Sequence, residues 1–169
     1  MSGNSPSLLI RAGLPADRDT IVDFNERLAH ETEGKSLDRA VLSAGISSAL
    51  ADPERLRYWV AQPSSAAPVV GQAAITREWS DWRNGWIWWF QSVYVVPEAR
   101  GQGVFRALYQ QIRAEALAIP DVIGLRLYVE QENHRAQQTY LAMGMRTSGY
   151  QVFEEIWSDR FAKAPGTLG

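Results

Sequence analysis

The stretch that decides the fold runs from Gln91 to Ala118 and reads QSVYVVPEARGQGVFRALYQQIRAEALA. Its first six residues are mostly β-branched or aromatic, which favours a strand, and Pro97 ends that strand because proline donates no ladder hydrogen bond. Apolar residues then recur at helical spacing from Val104 onward. The stretch therefore predicts a strand, a glycine-bearing turn and an amphipathic helix.

The turn between the strand and the helix has the sequence Arg100-Gly101-Gln102-Gly103. Its two glycines can adopt positive φ angles and let a ligand approach the backbone closely. A helix that starts there presents unpaired N–H groups and the positive end of its dipole, which together bind phosphate. By itself, a short glycine motif is equally compatible with a plain strand-to-helix turn.

Length and composition indicate one globular domain. The chain has 169 residues, of which 46% are hydrophobic and 21% charged, and this is enough for one proper core. We expect a single domain over residues 1–169, with short flexible tails at 1–7 and 160–169. The net charge of −2 provides no basic field that would attract nucleic acid.

The absence of cysteine excludes disulfides, thiolate metal sites and a cysteine nucleophile, and it suits a reducing cytosol. Two histidines make no metal constellation, so we expect no metal. The first residues lack a basic region followed by a long apolar run, and no apolar run reaches membrane-spanning length. These features predict a cytoplasmic protein with no membrane or nucleic-acid partner.

The whole chain predicts the element order β-α-α-β-β-β-α-β-α-β. The elements are expected at residues 8–12, 15–33, 37–50, 58–61, 69–79, 86–96, 103–118, 123–129, 133–143 and 151–157. Asn84-Gly85 predicts the hairpin turn between the two long strands. The strand at 86–96 is apolar on both faces, which is typical of the middle of a sheet. We expect one face to carry Trp86, Trp88 and Phe90, and the other Ile87, Trp89, Val93 and Val95.

Two motifs on these elements resemble those of the GNAT family of N-acetyltransferases. The turn Arg100-Gly101-Gln102-Gly103-Val104 resembles the family's acetyl-CoA loop, Gln/Arg-x-x-Gly-x-Gly/Ala. The segment Asn133-x-x-Ala136-x-x-x-Tyr140-x-x-x-Gly144-Met145 resembles its Asn-x-x-Ala-x-x-x-Tyr-x-x-x-Gly-Phe signature. The likeness extends from Leu8 to about Trp157. It implies a GNAT-like α/β (α+β) fold, with a mixed, mostly antiparallel central sheet flanked by about four helices.

The resemblance implies that acetyl-CoA is the co-substrate. Its pyrophosphate would bind the backbone N–H groups of the turn, with arginines adding charge, and its arm would lie beside the strand where the family's sheet opens at a bulge. A backbone N–H of the strand would polarise the thioester carbonyl. The residues implied in binding are Val93, Tyr94, Val95, Arg100, Gly101, Gln102, Gly103, Val104, Phe105, Arg106, Asn133 and Tyr140. Phe105 departs from the family pattern, which usually has Gly or Ala there.

Tyr140 has the position to which the family assigns the acid that protonates the leaving thiolate. The alternative is a half-buried helix tyrosine with a structural role. The base is open, because Gln91 and Ser92 stand where many amine-acetylating relatives carry a carboxylate. The carboxylate candidates are Glu31, Glu33, Glu78 and Asp81, of which we assign catalytic roles to Glu31 and Glu78. The histidines, His30 and His134, are weaker candidates.

The expected acceptor is a primary amine, either a small molecule or a lysine-type group. Since no covalent nucleophile is evident, we expect direct attack in a ternary complex. Trp79, Trp82 and Trp86 could form an aromatic wall for an alkylammonium acceptor or part of a homodimer interface. The alternative function is a catalytically silent CoA-binding sensor or interaction module on the same fold. A dinucleotide-binding domain is disfavoured by the glycine spacing.

Overall fold

A five-stranded sheet carries most of the chain, and its strand order follows the chain order. The computed structural model describes residues 8–157. The strands are β1 (Leu9–Ala12), β2 (Arg57–Gln62), β3 (Gly71–Ser80), β4 (Gly85–Val95) and β5 (Val122–Leu127). Neighbouring strands are antiparallel, except that β4 and β5 are parallel. The chain forms one compact unit up to Leu127 and a second from Tyr128 onward.

Four α-helices accompany the strands, and their sequence with the strands agrees with the predicted order as far as the fourth helix. They are α1 (Arg18–Glu33), α2 (Arg39–Ala51), α3 (Val104–Ala118) and α4 (His134–Ala142). Short 3-10 turns at Pro15–Asp17 and Pro97–Ala99 precede α1 and the glycine turn. The mixed, mostly antiparallel sheet with four helices confirms the predicted fold class. No helix in residues 8–157 is long and apolar enough to cross a membrane.

The ends of the first two helices are those that their sequences predict. Gly34 follows α1 in the left-handed region, with φ of 63°, and its N–H bonds to the carbonyl of His30 at 3.1 Å. Asp38 caps α2, because its Oδ1 accepts from the backbone N–H groups of Ala40 and Val41 at 2.9 and 3.1 Å. These local signals set the C-terminal end of α1 and the N-terminal end of α2.

Each face of the sheet packs against different helices. On one face, Ile21 of α1 and Ile46 of α2 lie in a core with Val60 and Ala74. On the other face, α3 packs against the sheet: the ring of Tyr109 stacks on that of Phe90 with 5.9 Å between centroids. Burying one aliphatic side chain such as Ile21 or Ile46 stabilises the fold by about 1.5–3 kcal/mol. The sheet is therefore a rigid middle layer with α1 and α2 on one side and α3 on the other.

A β-bulge in β4 reverses the alternation of its side chains. Phe90 pairs with Ile75 and Ser92 with Ala74, so Gln91 is an extra residue that β3 does not match. Trp89 pairs with Thr76 and Val93 pairs with Ala73. Thr76 and Ala73 are three residues apart on β3, the strand that has no extra residue. Residues three apart on a strand point to opposite faces.

The prediction that Val93 and Val95 share a face with Ile87 and Trp89 is therefore wrong. A period-two pattern holds only while the two strands advance by one residue each, and the insertion at Gln91 breaks that condition. Sequence alternation alone contains no sign of the extra residue.

The predicted strand at residues 151–157 is also not formed. The segment has no assigned helix or strand, and all of its side chains are exposed. A strand exists only with a ladder partner, and the sheet of the described residues has no strand in this segment. The predicted tails at 1–7 and 160–169 lie outside the described residues.

Candidate active site

β4 extends beyond its parallel partner β5. β5 ends at Leu127, which pairs with Phe90, whereas β4 continues to Val95. Among the described residues of the first unit, no strand therefore lies on that side of residues 91–95. Ligands of open sheets bind outside the carboxyl ends of the strands, and a free edge can pair with an extended ligand. Val93, Tyr94 and Val95, all predicted to bind the co-substrate, lie on this edge.

The turn after β4 is open to an anion. Gly101 and Gly103 have φ angles of 76° and 82°, in the left-handed region that other residues rarely adopt. A Cβ at either position would meet no atom within 4 Å, so it is the positive φ and not crowding that favours glycine, and the space around the turn is open. Gln102 stabilises the turn, because its Nε2 donates to the carbonyl of Glu98 at 2.7 Å.

The N-terminus of α3 has no side-chain cap. Gly103 occupies the N-cap position, whereas Asp38 and Asn133 cap α2 and α4 through their side-chain oxygens. The first N–H groups of a helix have no intrahelical partner, so a helix start without a side-chain cap is suited to bind an anion. The structure thus brings together the predicted glycines and the predicted helix start.

Gly71 on β3 fixes the position of this helix end. A Cβ there would lie 2.8 Å from Cγ1 of Val104, so only glycine lets the first turn of α3 approach the sheet so closely. Val104 is buried by this contact. The open N–H groups are therefore held beside the carboxyl end of β4.

The side chain of Phe105 packs along α3. Its ring contacts that of Tyr109, one turn further on, with 6.3 Å between centroids. The side chain that departs from the family pattern thus packs on α3, and the N–H of Phe105 remains part of the first turn. Arg106, next along, is exposed and makes no hydrogen bond or ion pair with another described residue.

Arg100 and Glu31 form an ion pair at the same end of the sheet. Nη2 of Arg100 donates to Oε2 of Glu31 at 2.6 Å, and the hydroxyl of Tyr94 donates to Oε1 at 2.9 Å. Although desolvation of the carboxyl acts in the opposite direction, hydrogen bonds from Arg100 and Tyr94 lower the pKa of Glu31. A lowered pKa makes Glu31 a weaker base than an ordinary carboxylate.

Glu78 lies beside the C-terminal end of β5, where it contacts Arg126. Its Oε2 accepts from Nε1 of Trp89 at 2.6 Å, and its Oε1 accepts from Nη1 of Arg126 at 3.1 Å. Trp89 and Arg126 face each other one pair before the end of the β4–β5 ladder. No sequence pattern marks this triad, because its three members come from three strands whose register is set by the fold.

The other two carboxylate candidates lie in ordinary surface settings. Glu33 pairs with Lys35 at 2.5 Å, and both side chains are exposed. Asp81 accepts from the backbone N–H of Trp82 at 2.9 Å in the hairpin turn. Of the histidines, His30 and His134 are both exposed, and His134 lies 3.8 Å from Glu132.

The second motif, Asn133 to Met145 in the second unit, has a helix-capping residue at each end of α4. Oδ1 of Asn133 accepts from the backbone N–H of Ala136 at 3.0 Å, three residues on. At the other end, Gly144 has φ of 88°, and the N–H of Met145 bonds to the carbonyl of Tyr140 at 3.0 Å, as in a Schellman motif. Helix capping thus explains Asn133 and Gly144, and only the amide nitrogen of Asn133 remains for a ligand.

Tyr140 lies on α4 between these caps. Burial raises the pKa of its hydroxyl above the usual 10.0. The group therefore keeps its proton at neutral pH, which a general acid requires.

The tryptophans divide between the core and the hairpin. Trp88 is buried and its ring meets that of Trp59 at 5.9 Å, which confirms its predicted place in the core. Trp79 and Trp86 meet edge to face at 5.0 Å, and Trp82 at the turn is 84% exposed. The aromatic wall and the dimer interface stay predictions for these three residues.

Comparison with known proteins identifies the family. The sequence model of the Acetyltransferase (GNAT) family matches residues 21–145, which include both motifs. The chain belongs to the GNAT acetyltransferase family. A possible acetyltransferase from Clostridium difficile 630 is 42% identical, with a TM-score of 0.81 over 88% of this chain and 97% of that chain.

More distant GNAT-like structures share the fold. An acetyltransferase from Trypanosoma brucei has a TM-score of 0.67 at 19% identity, over 89% of this chain and 100% of that one. AAC(6')-Iy, solved in complex with the bisubstrate analogue CoA-S-monomethyl-acetylneamine, has a TM-score of 0.71 at 16% identity, over 89% and 98% of the two chains. The comparison with curated proteins finds no match.

Proposed function

We propose that this GNAT protein is an acetyl-CoA-dependent N-acetyltransferase that moves an acetyl group to a primary amine by direct attack in a ternary complex. One observation carries the proposal. The uncapped N-terminus of α3, reached through left-handed Gly101 and Gly103, lies directly after the free strand edge of residues 91–95. Acetyl-CoA has the matching chemistry, a diphosphate joined to an extended amide-bearing arm.

The residues present fit these two parts. Open N–H groups at the start of α3 bind the diphosphate, and the guanidinium groups of Arg100 and Arg106 add charge-assisted contacts. The free edge of β4 pairs with the amides of the arm and orients it. When bound, acetyl-CoA supplies an activated thioester, and the chain's task is to hold it in line with the acceptor.

We assign the proton-accepting role to Glu78 rather than to Glu31. Glu78 lies on the sheet face opposite α3 and beside the C-terminal end of β5, and its side chain is 45% exposed. Glu31 has a lowered pKa and is bonded to Arg100 and Tyr94. A half-exposed carboxylate can take a proton from the acceptor ammonium through water. Tyr140, whose hydroxyl stays protonated, is assigned to protonate the departing thiolate.

The proposed acceptor is a primary amine. A small amine and a lysine-type side chain both belong to this class. The related fold of AAC(6')-Iy, in complex with a CoA-linked acetylneamine analogue, supports an amine acceptor.

Purified protein tests the proposal in two steps. Acetyl-CoA should raise the melting temperature, because a ligand that binds only the folded state stabilises it. A panel of polyamines, amino acids, aminoglycosides and lysine peptides should then include an amine that releases free thiol from acetyl-CoA. The proposal fails if acetyl-CoA neither shifts the melting temperature nor yields thiol with any amine.

A catalytically silent CoA-binding module is the second candidate. It is favoured by one observation, namely that Glu31 and Glu78 are both already paired with arginine, so neither is a free base. Tight binding of CoA without thiol release from any amine would support it. The predicted homodimer, which light scattering can check, and the predicted cytoplasmic location stay predictions.

A further inference from the structure

Arg100 is the residue through which α1 contacts the turn that leads into α3. Its Nη2 donates to Oε2 of Glu31 at 2.6 Å, across 69 positions in the chain. Glu31 is in the last turn of α1, on the sheet face opposite α3. The pair therefore joins the helix that covers one side of the sheet to the turn that receives the diphosphate.

Arg100 is positioned without help from Glu31. Its Nε donates to the carbonyl of Val95 at 2.9 Å, and its guanidinium carbon lies 5.5 Å from the centre of the Tyr94 ring. A backbone carbonyl and an aromatic face thus fix the side chain from two directions. What Glu31 adds is a negative charge that occupies one edge of the guanidinium.

The ion pair is easily replaced. The side chains of Arg100 and Glu31 are 42% and 38% exposed. Exposed pairs of this kind stabilise a protein by only about 0–1 kcal/mol. A diphosphate carries more charge than a carboxylate and forms stronger, often bidentate, bonds with arginine. An incoming diphosphate can therefore take Arg100 from Glu31.

We propose that Glu31 is an internal competitor for Arg100, which the diphosphate of the co-substrate displaces on binding and which reclaims the arginine when CoA leaves. This inference rests on the proposed function and assigns Glu31 a positioning role in place of the catalytic role expected from sequence. The competitor weakens the binding of CoA and so speeds product release, a step that limits turnover in many enzymes. After displacement, Glu31 keeps its hydrogen bond from Tyr94 but loses the positive charge of Arg100. Binding of the co-substrate therefore makes the surface around Glu31 on α1 more negative.

Isothermal titration with CoA tests the competition. Removing the charge with Glu31→Gln should tighten CoA binding about three- to fivefold, because an exposed ion pair of this kind can offset no more affinity than that. Glu33→Gln is the matched control, since it removes the same charge two residues away and contacts Lys35 rather than Arg100. Its affinity for CoA should stay within about twofold of wild type, because a distant exposed charge is screened. Equal or weaker binding by Glu31→Gln would overturn the inference.

A double-mutant cycle separates competition from simple support. Arg100→Ala should weaken CoA binding more in the Glu31→Gln background than in wild type, because there the arginine is no longer shared. If Glu31 merely supported the fold, its variant would bind CoA more weakly and the two losses would be equal. In a steady-state assay, Glu31→Gln should lower the KM for acetyl-CoA and make CoA a stronger product inhibitor.

Titration with inorganic pyrophosphate tests the competition for Arg100 independently of the proposed function. If wild type binds no CoA, the proposed function fails, and titration with pyrophosphate then decides whether Arg100 is contested. Tighter binding of pyrophosphate by Glu31→Gln than by wild type supports the competition. No difference between the two proteins refutes it.

Discussion

Nε1 of Trp89 donates a 2.6 Å hydrogen bond to Oε2 of Glu78, and Arg126 closes the triad from the neighbouring strand. The indole N–H orients the carboxylate, and the guanidinium of Arg126 both orients it and offsets its charge. The arrangement holds a partly exposed carboxylate beside the C-terminal end of β5, where the proposed chemistry takes place.

If Glu78 accepts the proton, Glu78→Gln should lower kcat by about 100-fold, the lower end of general acid–base contributions. Glu54→Gln is the control, because Glu54 is an exposed carboxylate paired with Arg77 and its loss removes the same charge. A Glu78→Gln enzyme with unchanged kcat would exclude this role.

Tyr140→Phe should reduce kcat about 10-fold or more while the affinity for CoA is retained, because only the proton donor is lost. Burial raises the pKa of Tyr140, so wild-type activity should not decline from its titration until the pH passes above 10.0. Tyr128→Phe, a change at an exposed tyrosine on the same unit, should leave kcat near wild type. Equal rates for Tyr140→Phe and wild type would contradict the assignment.

Gly103→Ala should destabilise the protein by about 1–2 kcal/mol, because a Cβ in the left-handed region is strained even where there is room for it. Gly45→Ala in α2 is the mirror control: its Cβ also meets nothing within 4 Å, but its φ is not positive. Helix propensity predicts that this change stabilises by about 0.5–1 kcal/mol. Urea unfolding measures both, and two shifts of the same sign would contradict the backbone argument.

Two substitutions at Asn133 separate its cap from its proposed contact with the arm. Asn133→Ala should cost about 1 kcal/mol of stability, because the N–H of Ala136 loses its acceptor. Asn133→Asp keeps the acceptor oxygen and should retain stability, yet it lacks the amide donor and should bind CoA more weakly. Calorimetry with CoA and thermal unfolding provide both readouts. Full CoA affinity in Asn133→Asp would remove the residue from the binding site.

Burial raises the pKa of Tyr58 to about 12, against a hydrogen bond with Asn25 that acts in the opposite direction. The folded state therefore holds this proton more tightly than the unfolded chain, whose tyrosine titrates near pH 10. The associated stability is complete below pH 10 and is lost as the pH rises to 12, a change of about 3 kcal/mol. Tyr58→Phe should flatten the stability curve in this window, and Tyr150→Phe, an exposed change, should not.

Signals that act within a few residues made most of the fold predictable. The cap Asp38 and glycines such as Gly34 and Gly103 act on their own turns, so the sequence alone located them. The β4 strand was correctly placed inside the sheet, because burial on both faces depends only on its own composition.

What the sequence did not reveal depends on register and on distance along the chain. The extra residue at Gln91 moves Val93 and Val95 to the α3 face, and nothing in the alternation marks it. The contacts of Glu31 with Arg100, and of Glu78 with Trp89, join residues that only the folded sheet brings together. Both carboxylates were found as candidates, but their partners, which decide what they can do, were not.

The order of strands in the sheet has a consequence for folding. β2, β3 and β4 follow one another through short connections and can assemble one after another. β1 is separated from β2 by α1 and α2, and β5 is separated from its parallel partner β4 by α3, so both outer strands depend on longer connections. We therefore expect β2 to β4 to pair first, so that the proposed ligand cleft beside the end of β5 is completed only after the centre of the sheet has formed.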